Sequence, residues 1–291
     1  MIALLLAILA AAAGWWPDAP RSRDGGTLLV LLPEADLRRE AALEALTRHL
    51  AHAGRLDLRL AVVRDTRALR DGLSEALLVL GPDGPLLSLD PADWHPLVSG
   101  RRRAPWNLRP TSVLVSRRTR QAGLQPWRTA PARTVFGDSL SLVCLAPLCR
   151  ETGSAVRPAR VAWGSDPYDH RGVLPALERG AYDHAVVRQW DAAALVAAGR
   201  LPADRWLVQR LGDPMPDILV LAARRLPAAT RLDLQQALTM LGRPADLPAA
   251  VDADVATGLG LLGLDGFNLL RVTDIERVRR RDGGCWPLTG E

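Results

Sequence analysis

Short apolar runs alternate with helix-forming stretches along nearly the whole chain, and this alternation restricts the fold more than any other feature of the sequence. Residues 27–32 (TLLVLL) and 76–80 (ALLVL) are uninterrupted apolar runs of strand length, and residues 56–63 alternate as a strand does. Helical patterns lie between these runs, at 36–53 and 66–72. Strands that are apolar on both faces and joined by helices indicate a parallel sheet covered by helices.

The same rhythm returns in the second half of the chain. We predict strands at 112–116, 133–136, 160–163, 182–187 and 217–222. We predict helices at 140–151, 172–179, 191–198, 232–241 and 251–264. Two such arrays in 291 residues predict an α/β protein of two lobes, each a mostly parallel sheet flanked by helices. Ligands of such folds bind at the carboxyl ends of the strands, where helix N-termini point into the cleft.

The amino-terminal residues 1–13 (MIALLLAILAAAA) form an apolar run that is too short to cross a bilayer and that ends in small residues. We interpret 1–13 as a secretory signal peptide and 14–25 as a spacer, so we expect a periplasmic protein. No Lys or Arg precedes the apolar run, and an uncleaved anchor therefore stays open as an alternative. No later stretch is long and apolar enough to cross a membrane.

Charge and cysteine content restrict the partners and cofactors. All 37 basic residues are Arg, and the formal net charge is +5. Most arginines are scattered, and the run 101–103 lacks aromatic residues spaced for base stacking, which argues against a nucleic-acid partner. Cys144, Cys149 and Cys285 permit one disulfide, whose pairing the spacing does not determine, and buried thiols fit equally well. Their spacing forms no zinc motif, and we expect no metal or other cofactor.

Several short motifs, taken in order, carry a family resemblance. They are 78–82 (LVLGP), 111–117 (TSVLVSR), 180–187 (GAYDHAVV), 264–267 (LDGF) and 273–278 (TDIERV). In this order and spacing the chain resembles the phosphate/phosphite/phosphonate-type periplasmic solute-binding proteins of ABC importers. The resemblance implies a type 2 periplasmic binding protein fold, with one lobe from 26–111 and 222–291, the other from 112–221, and two hinge strands between them. In such proteins the lobes close on a ligand, and a membrane permease recognises the closed form.

The resemblance also implies which residues hold the ligand. The family places small hydroxyl residues at a helix N-terminus, where hydroxyls, amide N–H groups and the helix dipole bind an oxyanion. At the matching positions this chain keeps the hydroxyl of Ser141 between two leucines, and Ser139 lies close by in the sequence. His170 falls on the family's ligand-contacting histidine, and Arg188 falls on a strand end that can face the cleft.

We expect a small anionic ligand of the phosphate or phosphonate type, bound by Ser139, Ser141, His170 and Arg188. Arg188 suits such a ligand because a guanidinium presents a planar fork of donors. The other interpretation of His170 and Arg188 is a locally bonded histidine and a solvated charge. Asp83, just past a strand end, would repel an anion if it faced the cleft, which leaves a zwitterionic ligand as an alternative. We expect a monomer without catalytic activity, whose partner is a permease.

Two other functions fit parts of the sequence. Residues 134–141 (TVFGDSLS) resemble the nucleophile block of GDSL esterases, with Ser139 as the nucleophile. The family's catalytic histidine block is missing, since none of the five histidines follows an aspartate by three residues. A periplasmic sensor that presents its closed form to a membrane receptor is the second alternative, and the sequence does not separate sensing from transport.

Overall fold

The computed structural model describes residues 25–33, 37–102, 111–118, 133–137, 140–141, 144, 161–163, 170–212, 214–241, 253–270, 273 and 275–276. The predicted signal peptide, Ser139, Cys149 and Cys285 lie outside these residues. None of the helices described in these ranges is long and apolar enough to span a bilayer.

Strands and helices alternate through the described chain. The strands are β1 (Gly25–Leu31), β2 (Asp57–Val63), β3 (Ala76–Pro82), β4 (Trp94–Arg102), β5 (Ser112–Arg117), β6 (Thr134–Phe136), β7 (Val161–Trp163), β8 (His184–Arg188), β9 (Trp206–Arg210), β10 (Ile218–Ala223) and β11 (Leu264–Leu269). The α-helices are α1 (Leu37–Gly54), α2 (Thr66–Gly72), α3 (Asp83–Leu87), α4 (Val173–Glu178), α5 (Gln189–Ala197), α6 (Ala228–Met240) and α7 (Ala253–Leu261). A 3-10 turn at His170–Gly172 precedes α4.

The strands form two sheets, and each sheet is mixed. The six-stranded sheet has the order β11-β4-β10-β3-β1-β2, in which β1 is parallel to β2 and β3 and the other neighbours are antiparallel. The five-stranded sheet has the order β7-β6-β8-β5-β9, in which β6 is parallel to β7 and β8 while β5 is antiparallel to β8 and β9. We name the six-stranded sheet with its helices the first lobe, and the five-stranded sheet with its helices the second lobe. The two-lobed α/β architecture is confirmed. The sheets are less parallel than predicted, because antiparallel pairs make up three of the five described strand pairs in the first lobe and two of the four in the second.

The first lobe buries apolar side chains on both faces of its sheet, which explains the uninterrupted apolar run of β1. Leu28 and Val30 belong to one buried cluster with leucines of α1, whereas Leu29 and Leu31 belong to another with Leu69 of α2. Successive side chains of a strand point to opposite faces, so neighbours in β1 enter different clusters. Full burial of one such leucine contributes about 1.5–3 kcal/mol. Because both faces are packed, polar ligand groups are best accommodated at the strand ends.

Three strands and one boundary differ from the sequence prediction. β11 follows the predicted helix 251–264, at residues where no strand was predicted. β4 lies within residues 91–110, which show no clear apolar pattern, and β9 alternates so weakly that its sequence does not stand out from a loop. β10 pairs antiparallel with β3 and β4, so the chain has already returned to the first lobe at Ile218. The sequence puts this boundary after residue 221, because the apolar run 217–222 does not reveal which sheet it joins.

Candidate functional site

The carboxyl ends of β3 and β8 and the amino end of β10 come together where the two lobes meet. Ile218 of β10 pairs with Pro82, so Asp217 lies beside the end of β3. β4 also runs antiparallel to β10, which brings its last residue, Arg102, to the same end of the sheet. Arg188 is the last residue of β8 in the second lobe. The topology therefore collects three charged side chains at the lobe boundary.

His170 orients the backbone of Arg188. Its Nδ1 accepts a hydrogen bond of 3.0 Å from the backbone N–H of Arg188, and the two residues are 0% and 1% exposed. This bond requires a lone pair on Nδ1, so Nε2 carries the ring proton. The imidazole lies against Gly137, where an added Cβ atom would sit 2.4 Å from the ring. Gly137 and His170 together fix the strand end from which Arg188 extends.

Two buried carboxylates, one from each lobe, surround the Arg188 guanidinium. Its Nε donates to Asp191 Oδ2 at 2.8 Å, and its Nη1 lies 3.5 Å from Asp217 Oδ1 in the first lobe. Arg102 Nε donates to the other oxygen of Asp217 at 2.5 Å. Burial raises the pKa of Asp217, but the charges of Arg102 and Arg188 outweigh burial and hold that pKa below its ordinary value. Asp217 therefore stays ionised at neutral pH.

Trp190, in the first turn of α5, contacts both guanidinium groups. The Cζ atoms of Arg102 and Arg188 lie 5.9 and 5.6 Å from the centre of its ring. Cations within about 6 Å of an aromatic ring are attracted to its face. Because Trp190 belongs to the second lobe and Arg102 to the first, this is a second contact across the boundary.

A backbone hydrogen bond joins the lobes beside the predicted hydroxyl position. The N–H of Gly84, in α3 of the first lobe, donates to the carbonyl of Leu140 in the second lobe at 3.1 Å. Ser141 follows Leu140 and is buried, and Asp83 precedes Gly84 and is fully buried. The N–H of Asp83 donates to the carbonyl of Asp217 at 2.9 Å, which connects this region to the charged cluster.

The structure brings two of the four predicted site residues into direct contact. His170 and Arg188 are hydrogen-bonded to each other, and both are buried rather than solvated. Ser141 lies next to the Leu140 contact, and Ser139 lies outside the described residues. Their role in ligand binding stays a prediction.

Sequence reasoning missed Arg102, Asp191 and Asp217. Only Asp191 has a local signal, because it follows Arg188 by three residues, the spacing at which side chains near a helix can meet. Arg102 and Asp217 are 115 positions apart, and their pairing depends on the antiparallel register of β4 and β10.

Cys144 is a buried cysteine beside the site. Its Sγ donates to the carbonyl of Val186 at 3.4 Å and lies 4.0 Å from Nδ1 of His170. The interpretation of this cysteine as a buried thiol is therefore correct. Within the part of the chain that is described, no group of three or more His, Cys, Asp or Glu side chains is placed to hold a metal ion.

A cavity of about 940 Å³ opens at the opposite end of the first lobe. It is lined by the amino ends of β1 and β3 and by residues that follow β10, among them Thr27, Glu75 and Arg225. Ligands of α/β sheets bind at the carboxyl ends of the strands instead, so the lobe boundary is the stronger candidate site.

Solved structures match the fold along most of the chain. XAC2383 from Xanthomonas citri, solved bound to chloride ion and bound to ATP, is 14% and 15% identical with TM-scores of 0.64 and 0.63, and each match covers 90% of this chain and 97% of that chain. A binding protein component of an ABC phosphonate transporter (PA3383) from Pseudomonas aeruginosa is 13% identical, with a TM-score of 0.56 and coverage of 88% and 85%. PhnD1 from Prochlorococcus marinus, in complex with methylphosphonate, is 12% identical, with a TM-score of 0.54 and coverage of 90% and 100%.

The fold is that of the two-lobed periplasmic binding proteins. Within this class the chain has the type 2 fold, which it shares with phosphonate-binding proteins, and the fold that the sequence motifs imply is confirmed. No protein-family model matches the sequence, and no curated protein matches it significantly. At this low identity the likeness shows the fold, and the ligand must be argued from the residues of the site.

Proposed function

We propose that the chain is an exported solute-binding protein that captures a small anionic ligand between its two lobes and delivers it to an ABC permease. The observation that carries this proposal is the position of Arg188, a buried arginine at the carboxyl end of β8 that faces the other lobe. A buried guanidinium requires anionic partners, and strand ends at such a boundary are where this kind of fold binds its ligand.

The ligand that best fits these groups carries a phosphate or phosphonate group. A guanidinium can bind two phosphoryl oxygens through parallel N–H donors. Arg188 also directly precedes the nine-residue helix α5, whose N-terminus carries a partial positive charge. Among the proteins of similar fold, PhnD1 is in complex with methylphosphonate and XAC2383 is bound to ATP, and both ligands carry such a group.

The proposed ligand contacts are Ser139, Ser141, His170 and Arg188. The serine hydroxyls donate hydrogen bonds to the ligand oxygens, and the guanidinium balances the ligand charge. The histidine contributes by positioning the arginine through Nδ1.

Thermal unfolding of the mature protein with a panel of phosphate, phosphite, phosphonates, sulfate and carboxylates tests this proposal. At a hundredfold excess over Kd a ligand stabilises the folded state by about 2.7 kcal/mol, which corresponds to a rise in Tm of about 5–10 °C. We expect this rise with at least one phosphate-like ligand. A panel in which no oxyanion raises Tm would contradict the proposal.

Two serine variants show whether the ligand occupies the lobe boundary. Ser141→Ala should weaken the ligand about tenfold, because one hydrogen bond to a charged oxygen is lost. Ser116→Ala is the matched control, since this buried serine bonds His184 towards the other end of the second sheet. Equal ligand affinity in the two variants would argue against the boundary as the binding site.

The permease is proposed from the class of fold alone. Neighbouring genes for a permease and an ATPase would support import, whereas a neighbouring gene for a membrane kinase or cyclase would support the sensor instead. Both outcomes are consistent with capture of a ligand between the two lobes.

A further inference from the structure

The Asp217 carboxylate lies in an anion site that both lobes build. Its Oδ2 accepts a hydrogen bond from Arg102 Nε at 2.5 Å in the first lobe, and its Oδ1 lies 3.5 Å from Nη1 of Arg188 in the second. The side chains of Arg102, Asp217 and Arg188 are 11%, 5% and 1% exposed, so water screens these charges little. The carboxylate thus occupies the position that a bound anion takes between two arginines.

We propose that Asp217 is a built-in ligand, whose carboxylate fills the anion site of Arg102 and Arg188 and holds the two lobes together in the absence of solute. This goes beyond the proposed function, because closure of a binding protein is ordinarily driven by the ligand that its lobes trap. In this chain part of the closing energy comes from the chain itself.

Other contacts beside the carboxylate also cross the lobe boundary. The Cζ atom of Arg102 lies 5.9 Å from the ring centre of Trp190, across the boundary. The backbone bond from Gly84 to Leu140 crosses it as well. Separation of the lobes would break both contacts, because each joins an atom of one lobe to an atom of the other. The carbonyl of Asp217 accepts the N–H of Asp83, so the carboxylate stays with the first lobe.

The anion site has one donor that Asp217 does not use. Among the described residues, Nη2 of Arg102 is buried and has no hydrogen-bond partner, whereas Nη1 donates to the carbonyl of Leu262 at 3.2 Å. A buried donor without an acceptor is costly. An oxyanion with a third oxygen can satisfy this donor as it displaces the carboxylate, so the built-in ligand and a soluble oxyanion compete for one site.

The variant Asp217→Ala tests the built-in ligand, because it removes the carboxylate and leaves a gap in which a formate ion fits. We expect its Tm to fall by about 10 °C, since two buried guanidinium groups lose a shared anion. We also expect its radius of gyration in small-angle X-ray scattering to exceed that of the solute-free wild type. Sodium formate should restore most of the Tm and return the radius of gyration towards that of the wild type. Sodium chloride at the same concentration should do neither.

The matched control is Asp265→Ala. Asp265 accepts from Arg101 Nε at 2.8 Å, but both residues belong to the first lobe, and their side chains are 30% and 24% exposed. We expect its Tm to stay within about 2 °C of the wild type, with an unchanged radius of gyration and no response to formate beyond that to chloride.

Two results would overturn the built-in ligand: an Asp217→Ala protein as compact as the wild type, or a response to formate no greater than that to chloride. If the alanine variant does not fold, the same scattering measurement on Asp217→Asn decides the question. An asparagine variant of wild-type compactness overturns the proposal, and an expanded one supports it. The ligand panel is independent of this result, because the lobes can open on loss of Asp217 whether or not any tested oxyanion binds.

Discussion

Two consecutive arginines of β4 form ion pairs in opposite surroundings. Arg101 pairs with Asp265 at the edge of the first lobe, where their side chains are 24% and 30% exposed, whereas Arg102 pairs with Asp217 at the lobe boundary, where the values are 11% and 5%. Successive side chains of a strand point to opposite faces, so one step along the chain separates a surface pair from a buried one. Both pairs join an arginine to an aspartate, so burial, and not residue type, makes the second pair the more costly one to break.

The largest effect that follows from this contrast is expected at Arg188. Arg188→Met should lower the free energy of unfolding by about 3–5 kcal/mol, because Asp191 and Asp217 lose a buried partner. Arg200→Met removes a surface arginine that pairs with Glu178 at 3.2 Å, and should cost about 0–1 kcal/mol. Urea denaturation of both variants measures the difference. Equal losses would mean that the boundary cluster behaves like an ordinary surface pair.

A smaller loss of stability is expected where the His170 ring packs against Gly137. Gly137→Ala should cost about 1–3 kcal/mol and weaken any boundary ligand, because the new Cβ would displace the imidazole that positions Arg188. Gly172→Ala is the control, since no atom lies within 4 Å of its added Cβ and its φ of −59° suits alanine. Calorimetry of the two variants tests this prediction. A wild-type Tm for Gly137→Ala would contradict the role of His170 in positioning Arg188.

The pH dependence of the unfolding free energy tests the buried ion pairs of Asp217. The pKa of Asp217 is below its ordinary 3.8, because Arg102 and Arg188 outweigh burial. The contribution of the Asp217 carboxylate to the free energy of unfolding is therefore fully present above its ordinary pKa. It is lost as the pH falls through the lowered pKa. The gap in unfolding free energy between wild type and Asp217→Asn should stay constant down to about pH 5 and narrow only in stronger acid. A gap that narrows near neutral pH would contradict the ion pairing described.

The smallest effect is expected for the surface pair. Asp265→Ala should cost about 0–1 kcal/mol at low ionic strength and nothing measurable at about 1 M NaCl, where the Debye length is about 3 Å. The loss for Asp217→Ala should change much less with chloride, because burial limits screening. Denaturation at two salt concentrations measures both, and identical salt responses would remove the contrast between the two pairs.

Much of the fold could be predicted from the sequence, and less of the site. β1 and β3 are evident as apolar runs because both their faces are buried, and residues 66–72 form the predicted helix α2. β4, β9 and β11 were missed because each mixes apolar with polar or small residues. His170 and Arg188 were singled out by resemblance, and the structure adds the hydrogen bond that joins them.

Apolar periodicity and local spacing carry enough information to predict most of the succession of strands and helices, the two-lobed α/β class and a basic group at the end of β8. The return of β10 to the first lobe and the contacts of Asp217 with Arg102 and Arg188 are visible only in the folded chain. These contacts join residues far apart in the chain through antiparallel register and lobe packing, and neither leaves a local pattern in the sequence.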